Sequence, residues 1–175
     1  MRKIILGLAV TLDGLIEGPN GEYDWCFTDQ DYGMSEFLEK VDAIFYGRKS
    51  YEMMTAVEGG NPFANKKGYV FSNSWRKATP DFELVSGDVV SRVKELKETK
   101  GKNIWLFGGA SLTASVMEAE LVDELWLSVH PIILGNGKPL FAGINGRIRL
   151  ELLETKSYNT GLISVRYKVI AGRDL

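Results

Sequence analysis

The stretch Asp42–Glu52, which reads DAIFYGRKSYE, predicts a buried strand that leads into a helix through a single glycine. A second stretch, Ile104–Leu112 with the sequence IWLFGGASL, repeats the pattern. In each, an apolar run of strand length ends in glycine and a helix-compatible segment follows. The first N–H groups of a helix have no partner inside the helix, and the helix dipole favours negative charge there. We therefore expect an anion, above all a phosphate, at both junctions.

The first junction also carries fixed positive charge. Arg48 and Lys49 stand at the start of the predicted helix, and Ser50 adds a hydroxyl. Cations at a helix start oppose the helix dipole, which is unfavourable unless an anion is bound. Two such junctions in one small domain suggest a ligand with separate phosphate groups, as in a dinucleotide. For the glycine pair Gly108 and Gly109, close packing of the strand against the helix is the alternative explanation.

The rest of the chain places these junctions in a sheet. Apolar runs predict strands over 2–10, 43–46, 69–71, 82–85 and 104–107, and helical spacing predicts helices over 30–41, 48–56, 89–96 (with Asp88 as N-cap) and 110–119. Strands over 124–130, 147–154 and 161–170 follow, and 13–24 is predicted as a long loop. The prediction is a single α/β domain over 1–175, whose central mixed sheet is mostly parallel, with an antiparallel C-terminal hairpin edge and helices on both faces. Ligands of such sheets bind at the carboxyl ends of the strands, where both junctions lie.

The composition argues against several classes of partner. A chain of 175 residues with 45% hydrophobic content is typical of one soluble globular domain. Its net charge of −2 disfavours nucleic acid, because a surface that follows phosphates needs net positive charge. The apolar run Ile4–Val10 is too short to span a membrane and is predicted as a strand rather than a signal peptide. The single cysteine, Cys26, cannot form an internal disulfide, which fits a cytoplasmic location.

Five segments, which follow one another along the chain in the order expected for the family, resemble the dihydrofolate reductase-like superfamily. The resemblance is greatest to the branch that contains the reductase domain of bacterial riboflavin biosynthesis (RibD C-terminal domain). FYGRKSYE is similar to the Gly-Arg-x-Thr/Ser segment that begins the helix holding an NADPH phosphate. YVFSNS is similar to the strand ending in a serine that contacts the adenosine phosphate, and LFGGASL to the paired glycines under the pyrophosphate. LAVTLDGLIEG resembles the first strand and its mobile loop beside the nicotinamide. VDELWLSVHPIILGNGKPLF is similar to a segment of the riboflavin branch that ends in Gly-x-Gly-x-x-Leu-Phe.

The resemblance implies NADPH as the cofactor. No metal is expected, because the only histidine has no second histidine or cysteine near it in sequence. An arginine and a lysine beside helix N–H groups also favour the extra phosphate of NADPH over NADH. The cofactor-binding residues that the resemblance implies are Ala9, Thr11, Gly14, Ile16, Gly47, Arg48, Lys49, Ser50, Ser72, Asn73, Ser74, Gly108, Gly109, Ala110, Ser111 and Leu112.

The implied activity is hydride transfer from NADPH to a small heterocyclic or carbonyl/imine acceptor, pterin-like or ribosylaminopyrimidine-like. It would be similar to that of 5-amino-6-(5-phosphoribosylamino)uracil reductase or dihydrofolate reductase. The alternative is a non-catalytic module that binds a nucleotide or a folate-like ligand on the same fold. The candidate proton donors are Asp13 and Asp31. Asp31 lies near the place of the buried acid of folate reductases and competes with Asp29 and Glu36, while Asp13 could instead form a turn with Gly14.

Three further expectations concern the remaining residues. A homodimer is implied by the resemblance, and strand 124–130 with Trp126 is a candidate contact surface. His130, the only histidine, is predicted to be structural because no second histidine or cysteine lies near it in sequence. Three aromatic residues of the loop region could line a ring-binding pocket or pack in the core or a dimer, and both explanations stay open; they are Trp25, Phe27 and Tyr32.

Overall fold

The computed structural model describes residues 1–75 and 77–172. The strands of this part are β1 (Ile4–Thr11), β2 (Leu15–Glu17), β3 (Val41–Gly47), β4 (Lys67–Phe71), β5 (Phe82–Val85), β6 (Asn103–Gly108), β7 (Glu124–His130), β8 (Lys138–Pro139), β9 (Leu150–Ser157) and β10 (Ile163–Val169). The helices are α1 (Met34–Lys40), α2 (Arg48–Thr55), α3 (Val89–Glu98) and α4 (Ala110–Glu118). None of these helices is long and apolar enough to cross a membrane.

Eight strands form one mixed sheet in the order β5-β4-β3-β6-β1-β7-β10-β9. The first six run parallel, whereas β10 is antiparallel to β7 and β9 is antiparallel to β10. The central strands β3 and β6 are largely apolar, as expected for parallel strands covered on both faces; Ile44 and Phe45 of β3 and Ile104 and Leu106 of β6 are fully buried. The predicted fold class is confirmed.

Helices cover both faces of the sheet. Val93 of α3 and Val116 of α4 pack on one face, in the cluster that contains Phe45. Phe37 of α1 and Tyr51 of α2 pack on the other face with Ile44, in a separate cluster. Alternate residues of β3 therefore support different helix pairs, because successive side chains of a strand point to opposite faces.

The structure differs from the sequence-based prediction in the segment 13–24, which is not wholly a loop. It contains β2, which pairs in antiparallel fashion with β8. Strands of two or three residues are too short to show a hydrophobic period in the sequence, and they form because a distant segment pairs with them. The first helix begins at Met34 rather than at residue 30, because Tyr32 and Gly33 have positive φ angles (50° and 84°) that helical backbone excludes.

Strand β7 does not provide the contact surface predicted for it. It lies inside the sheet between β1 and β10, and Trp126 is only 8% exposed. The indole Nε1 of Trp126 donates to Ser164 Oγ at 2.8 Å, which satisfies the one polar group of the ring. The prediction that Trp126 lies at a subunit contact is therefore wrong. The homodimer itself stays a prediction. The edge strand β9 next to β10 carries three exposed apolar side chains, Leu150, Leu152 and Leu153.

His130 connects the end of β7 to the segment before α1. Its Nδ1 lies 2.9 Å from the Ser128 carbonyl, and its Nε2 accepts the Phe27 N–H at 3.1 Å. The rings of Trp25 and Phe27 pack against the imidazole at centroid distances of 5.2 and 5.0 Å. One nitrogen donates while the other accepts, so these contacts select the neutral imidazole. Trp25 and Phe27 thus pack around a structural histidine.

The His130 contacts predict how stability depends on pH. Burial lowers the pKa of His130 below its ordinary value, so the unfolded chain binds the proton more tightly than the folded one. The stabilisation is complete above the ordinary histidine pKa of about 6.5 and is lost as the pH falls below it. We expect the free energy of unfolding, measured with urea, to decrease between about pH 7.5 and about pH 5.5. Because the chain has one histidine, a His130→Asn variant should show little of this slope. An equal slope in the variant would contradict the assignment.

Candidate functional site

The two strand–glycine–helix junctions lie side by side. Strands β3 and β6 are parallel neighbours, with Tyr46 opposite Gly108, and α2 and α4 begin directly after them. A Cβ atom added to Gly47 would lie 3.0 Å from the Gly109 nitrogen and 3.3 Å from the Gly108 oxygen. A side chain at residue 47 would require the neighbouring backbone to shift by a few tenths of an ångström, so glycine allows the closest approach of the two backbones here. Both helix starts therefore open onto the same end of the sheet.

The starts of α2 and α4 carry no side-chain cap. Gly47 and Gly109 occupy the N-cap positions and have no side chain that could accept from the first N–H groups. In α3, by contrast, the Asp88 carboxylate accepts from Val90 N at 3.0 Å and Ser91 N at 3.2 Å. The chain thus caps α3 and leaves the two helix starts at the cleft available to an anion.

A cleft runs along these strand ends and consists of two cavities that meet. The helix-end cavity has a volume of about 470 Å³ and is lined by Gly47, Arg48, Lys49, Phe71, Ser72, Asn73, Val89, Gly109, Ala110, Ser111, Leu112, Ser115 and Lys138. The loop-side cavity has a volume of about 400 Å³ and is lined by Leu8, Ala9, Ile16, Glu17, Gly21, Tyr23, Cys26, Lys49, Ser50, Met53, Phe107, Gly109 and Lys138. Lys49, Gly109 and Lys138 line both cavities and mark where they join.

The helix-end cavity is positively charged although the chain as a whole is slightly acidic. Its described lining includes Arg48, Lys49 and Lys138 and no carboxylate. Arg48 donates to Glu52 Oε1 at 3.2 Å, with the two side chains 46% and 44% exposed. An exposed pair of this kind contributes little, so an anionic ligand could replace Glu52 at low cost. The cavity is therefore suited to phosphate groups.

The paired glycines serve different purposes. Gly108 has a φ of +114°, a backbone conformation that other residues rarely adopt. Gly109 has a φ of −87°, and a Cβ added there would meet only Ser50 Oγ, at 3.6 Å, among the described residues. Packing within the protein therefore does not require glycine at 109. A side chain there would instead enter the cleft, which favours the ligand explanation for this residue.

Ser72 and Asn73 reach the helix-end cavity from the end of β4. Asn73 Oδ1 accepts the Gly87 N–H at 2.7 Å and Ser72 N donates to the Val85 carbonyl at 3.0 Å, so the turn is held against the segment before α3. Ser74 does not line either cavity of the cleft; its hydroxyl lies 3.3 Å from that of Ser72. The strand end thus presents two polar residues to the cleft rather than three.

The loop-side cavity contains residues that sequence reasoning missed. Tyr23 and Cys26 come from the segment that folds back over the sheet, and Met53 and Phe107 come from α2 and β6. No spacing in the sequence marks them, because they meet only through the fold. Lys138 could have been found from the sequence, because it is a basic residue inside the glycine-rich stretch GNGKPLF. Burial raises the pKa of Cys26 to about 11, so this thiol is protonated and a poor nucleophile.

Asp13 and Asp31 do not line the cleft. Asp13 accepts from Thr11 Oγ1 at 2.6 Å and from Gly135 N at 2.8 Å, and these bonds, the first above all, lower the pKa of Asp13. Asp31 accepts from the hydroxyl and the N–H of Ser35 at 2.7 and 3.0 Å, and these bonds lower the pKa of Asp31. The contacts favour a structural role for both carboxylates. Their role as proton donors stays a prediction.

Two other implied residues, Thr11 and Gly14, do not line either cavity of the cleft. Thr11 is buried, and its hydroxyl accepts the Leu15 N–H at 2.9 Å while donating to Asp13. Gly14 has a φ of +80° and its carbonyl accepts the Leu140 N–H at 3.0 Å. Both residues shape the turn that carries the chain from β1 into β2.

A larger cavity, of about 670 Å³, lies at the opposite end of the sheet. Glu124 in its lining is paired with Lys3 Nζ at 2.6 Å and with Arg166 at 3.0 Å. These three charges neutralise one another, and the helix residue in the described lining, Met117, comes from the last turn of α4 and not from a helix start. We therefore assign the functional site to the cleft and not to this larger cavity.

The strand order, the antiparallel edge and the cleft at the strand ends are those of the dihydrofolate reductase-like fold. The profile of the RibD C-terminal domain family matches residues 2–164, and the chain belongs to this family. An uncharacterised protein, YyaP, from Bacillus subtilis strain 168 is 42% identical in an alignment 177 positions long, which covers 95% of this chain and 94% of the relative.

Solved structures agree with this assignment. A candidate riboflavin biosynthesis protein from Shewanella sp. PV-4 matches with a TM-score of 0.85 at 25% identity, covering 97% of this chain and 99% of the other. A dihydrofolate reductase from Enterococcus faecalis, complexed with NADP(H) and RAB-propyl, matches with a TM-score of 0.69 at 17% identity, covering 95% and 94%. The second likeness concerns the fold alone.

We expect alanine substitution to affect stability differently at the two junction glycines. Gly47→Ala should reduce the free energy of unfolding by about 1–3 kcal/mol, because the new methyl group meets the backbone of the second junction. Gly109→Ala should change it by less than about 1 kcal/mol, because its methyl group enters open space and alanine restricts the unfolded chain. Urea unfolding of both variants measures the difference. Equal destabilisation of the two would show that Gly109 is also fixed by packing.

Proposed function

We propose that this protein is an NADPH-dependent reductase that transfers hydride to a small heterocyclic or carbonyl/imine acceptor. The observation that carries the proposal is the helix-end cavity: three cations, no carboxylate in the described lining, and two uncapped helix starts on adjacent strands. This combination suits a ligand with several phosphate groups. Membership of the RibD C-terminal domain family supports a reductase rather than another phosphate-binding function.

The cleft residues fit the two halves of the cofactor. Arg48, Lys49, Ser72 and Asn73 would hold the adenosine phosphate in the helix-end cavity. The pyrophosphate would lie against the starts of the two helices, with the N–H groups that follow Gly47 and Gly109 as donors; Ser50, Ala110, Ser111 and Leu112 belong to these first turns. Ala9 and Ile16 line the loop-side cavity and would flank the nicotinamide.

The loop-side cavity would also hold the acceptor. When bound, NADPH supplies a hydride, and the acceptor takes up a proton as well. Leu8, Met53 and Phe107 give the cavity apolar walls that would exclude water, and Tyr23, which is 51% exposed, lies in the same lining. Four residues of the segment 13–24 also line this cavity and would keep the reacting atoms away from solvent; they are Ile16, Glu17, Gly21 and Tyr23.

The proposal is tested by binding and turnover together. The protein is titrated with NADPH while nicotinamide fluorescence is followed. NADPH oxidation is then measured by absorbance with a panel of pterins, ribosylaminopyrimidines and simple carbonyl compounds. We expect saturable binding and oxidation with at least one class of acceptor. Binding without turnover on any acceptor would favour the non-catalytic module, and absence of binding would overturn both functions.

If Arg48 contacts the extra phosphate of NADPH, its loss should affect NADPH more than NADH. Arg48→Ala should weaken NADPH binding roughly 10- to 100-fold, because a charge-assisted contact to the extra phosphate is lost. NADH lacks that phosphate and should lose less than about 3-fold. Dissociation constants from fluorescence titration measure both effects. Arg147, which is exposed and lines neither cavity, gives a matched control in Arg147→Ala. Equal losses for the two nucleotides would contradict the role assigned to Arg48.

Gly109 predicts a steric effect on binding. Gly109→Val should reduce the affinity for NADPH by more than about 100-fold, because the side chain fills the space of the pyrophosphate. Gly109→Ala should show a smaller loss in the same direction. Affinity is measured by fluorescence titration, and circular dichroism verifies that both variants are folded. Unchanged affinity in the folded valine variant would show that the cofactor does not pass over residue 109.

A further inference from the structure

Lys138 lies at the point where the two cavities of the cleft meet. It lines both cavities, and the only other residues of the described chain that do so are Lys49 and Gly109. The dinucleotide of the proposed function would have its pyrophosphate between its two halves, at this same point. A cation that borders both cavities is therefore positioned for the part of the ligand that joins them.

The backbone around Lys138 is fixed relative to the cleft. Strand β8 pairs with β2, and a Cβ added to Gly137 would lie 2.2 Å from the Glu17 carbonyl oxygen. On the far side, Leu140 is 1% exposed and its N–H donates to the Gly14 carbonyl. The lysine side chain thus starts from a defined position, and less conformational freedom is lost when it contacts a ligand.

The ion pair between Lys138 and Glu17 is weak. The Lys138 Nζ lies 3.4 Å from Glu17 Oε1, with the two side chains 33% and 30% exposed. Exposed ion pairs of this kind contribute little to stability. A phosphate oxygen carries more charge, accepts shorter charge-assisted hydrogen bonds and would be less exposed in the cleft. Exchange of Glu17 for a phosphate is therefore favourable for Lys138.

We propose that Lys138 is a cofactor-binding residue, which releases Glu17 and contacts the pyrophosphate of the bound dinucleotide. The proposal rests on the proposed function and adds a residue from β8 to the two helix starts. Because NADPH and NADH share the pyrophosphate, Lys138 contributes equally to the binding of both. Glu17 competes with the ligand for the ammonium group and therefore opposes binding.

The test uses the full chain and fluorescence titrations with NADPH and NADH. Lys138→Met, which keeps the length of the side chain, should weaken the binding of both nucleotides by the same factor, about 5- to 30-fold. The salt dependence of binding should become shallower, because one fewer charge contact is screened. Lys94→Met is the matched control, since Lys94 lies exposed on α3 outside the cleft, and it should leave both affinities unchanged.

Glu17→Gln should change the nucleotide affinity in the direction opposite to that of Lys138→Met. It should strengthen binding of both nucleotides by about 2- to 5-fold, because the competing carboxylate is removed. In the Lys138→Met background the same substitution should have a smaller effect, and this double-mutant cycle separates competition for Lys138 from a general change in charge.

The outcomes distinguish this inference from the proposed function. Wild-type protein that binds neither nucleotide overturns the proposed function and this inference with it. Wild-type protein that binds both, with Lys138→Met unchanged or weakened only toward NADPH, overturns the role of Lys138 alone. If Lys138→Met does not fold, Lys138→Gln replaces it in the titrations and in the cycle with Glu17→Gln: an equal loss of affinity for both nucleotides supports the inference, and unchanged affinity overturns it.

Discussion

The structure depends on the close approach of two backbones, at Gly47 and at Gly108–Gly109. This contact brings the ends of two neighbouring parallel strands so near that the helices after them start at one place. A parallel sheet by itself aligns strand ends only along an edge. The absence of a side chain at residue 47 turns that alignment into a single site with two sets of free N–H groups. In the proposed function, the cations of the cleft would act on a ligand that these backbones position.

Charge and burial are divided along the cleft in a way that suits a two-part ligand. The helix-end cavity combines Arg48 and Lys49 with polar groups from the end of β4, whereas Met53 and Phe107 make the loop-side cavity more apolar. Such a division matches a charged phosphate half that needs anchoring and a ring half that needs a dry surrounding. At the other end of the sheet Glu124 is neutralised by its own neighbours, and the larger cavity there offers nothing comparable.

Sequence reasoning could predict what local pattern and backbone chemistry determine. The strands over 82–85 and 124–130 and the Asp88 cap follow from apolar runs and from the preference for aspartate at a helix start, and the structure has all three. It could not predict β2 and β8, since strands of three and two residues exist only through their tertiary pairing. The burial of Trp126 was missed for a related reason: a strand's own pattern does not reveal which strands will flank it.

The carboxylate of Asp13 links two segments that are far apart in sequence, because it accepts from its own turn and from Leu134 and Gly135. Together with the β2–β8 pair, this bond ties the turn after β1 to the 134–140 stretch. The two segments are thus joined by side-chain, backbone and strand contacts, so a displacement of one would have to break these contacts or carry the other segment with it.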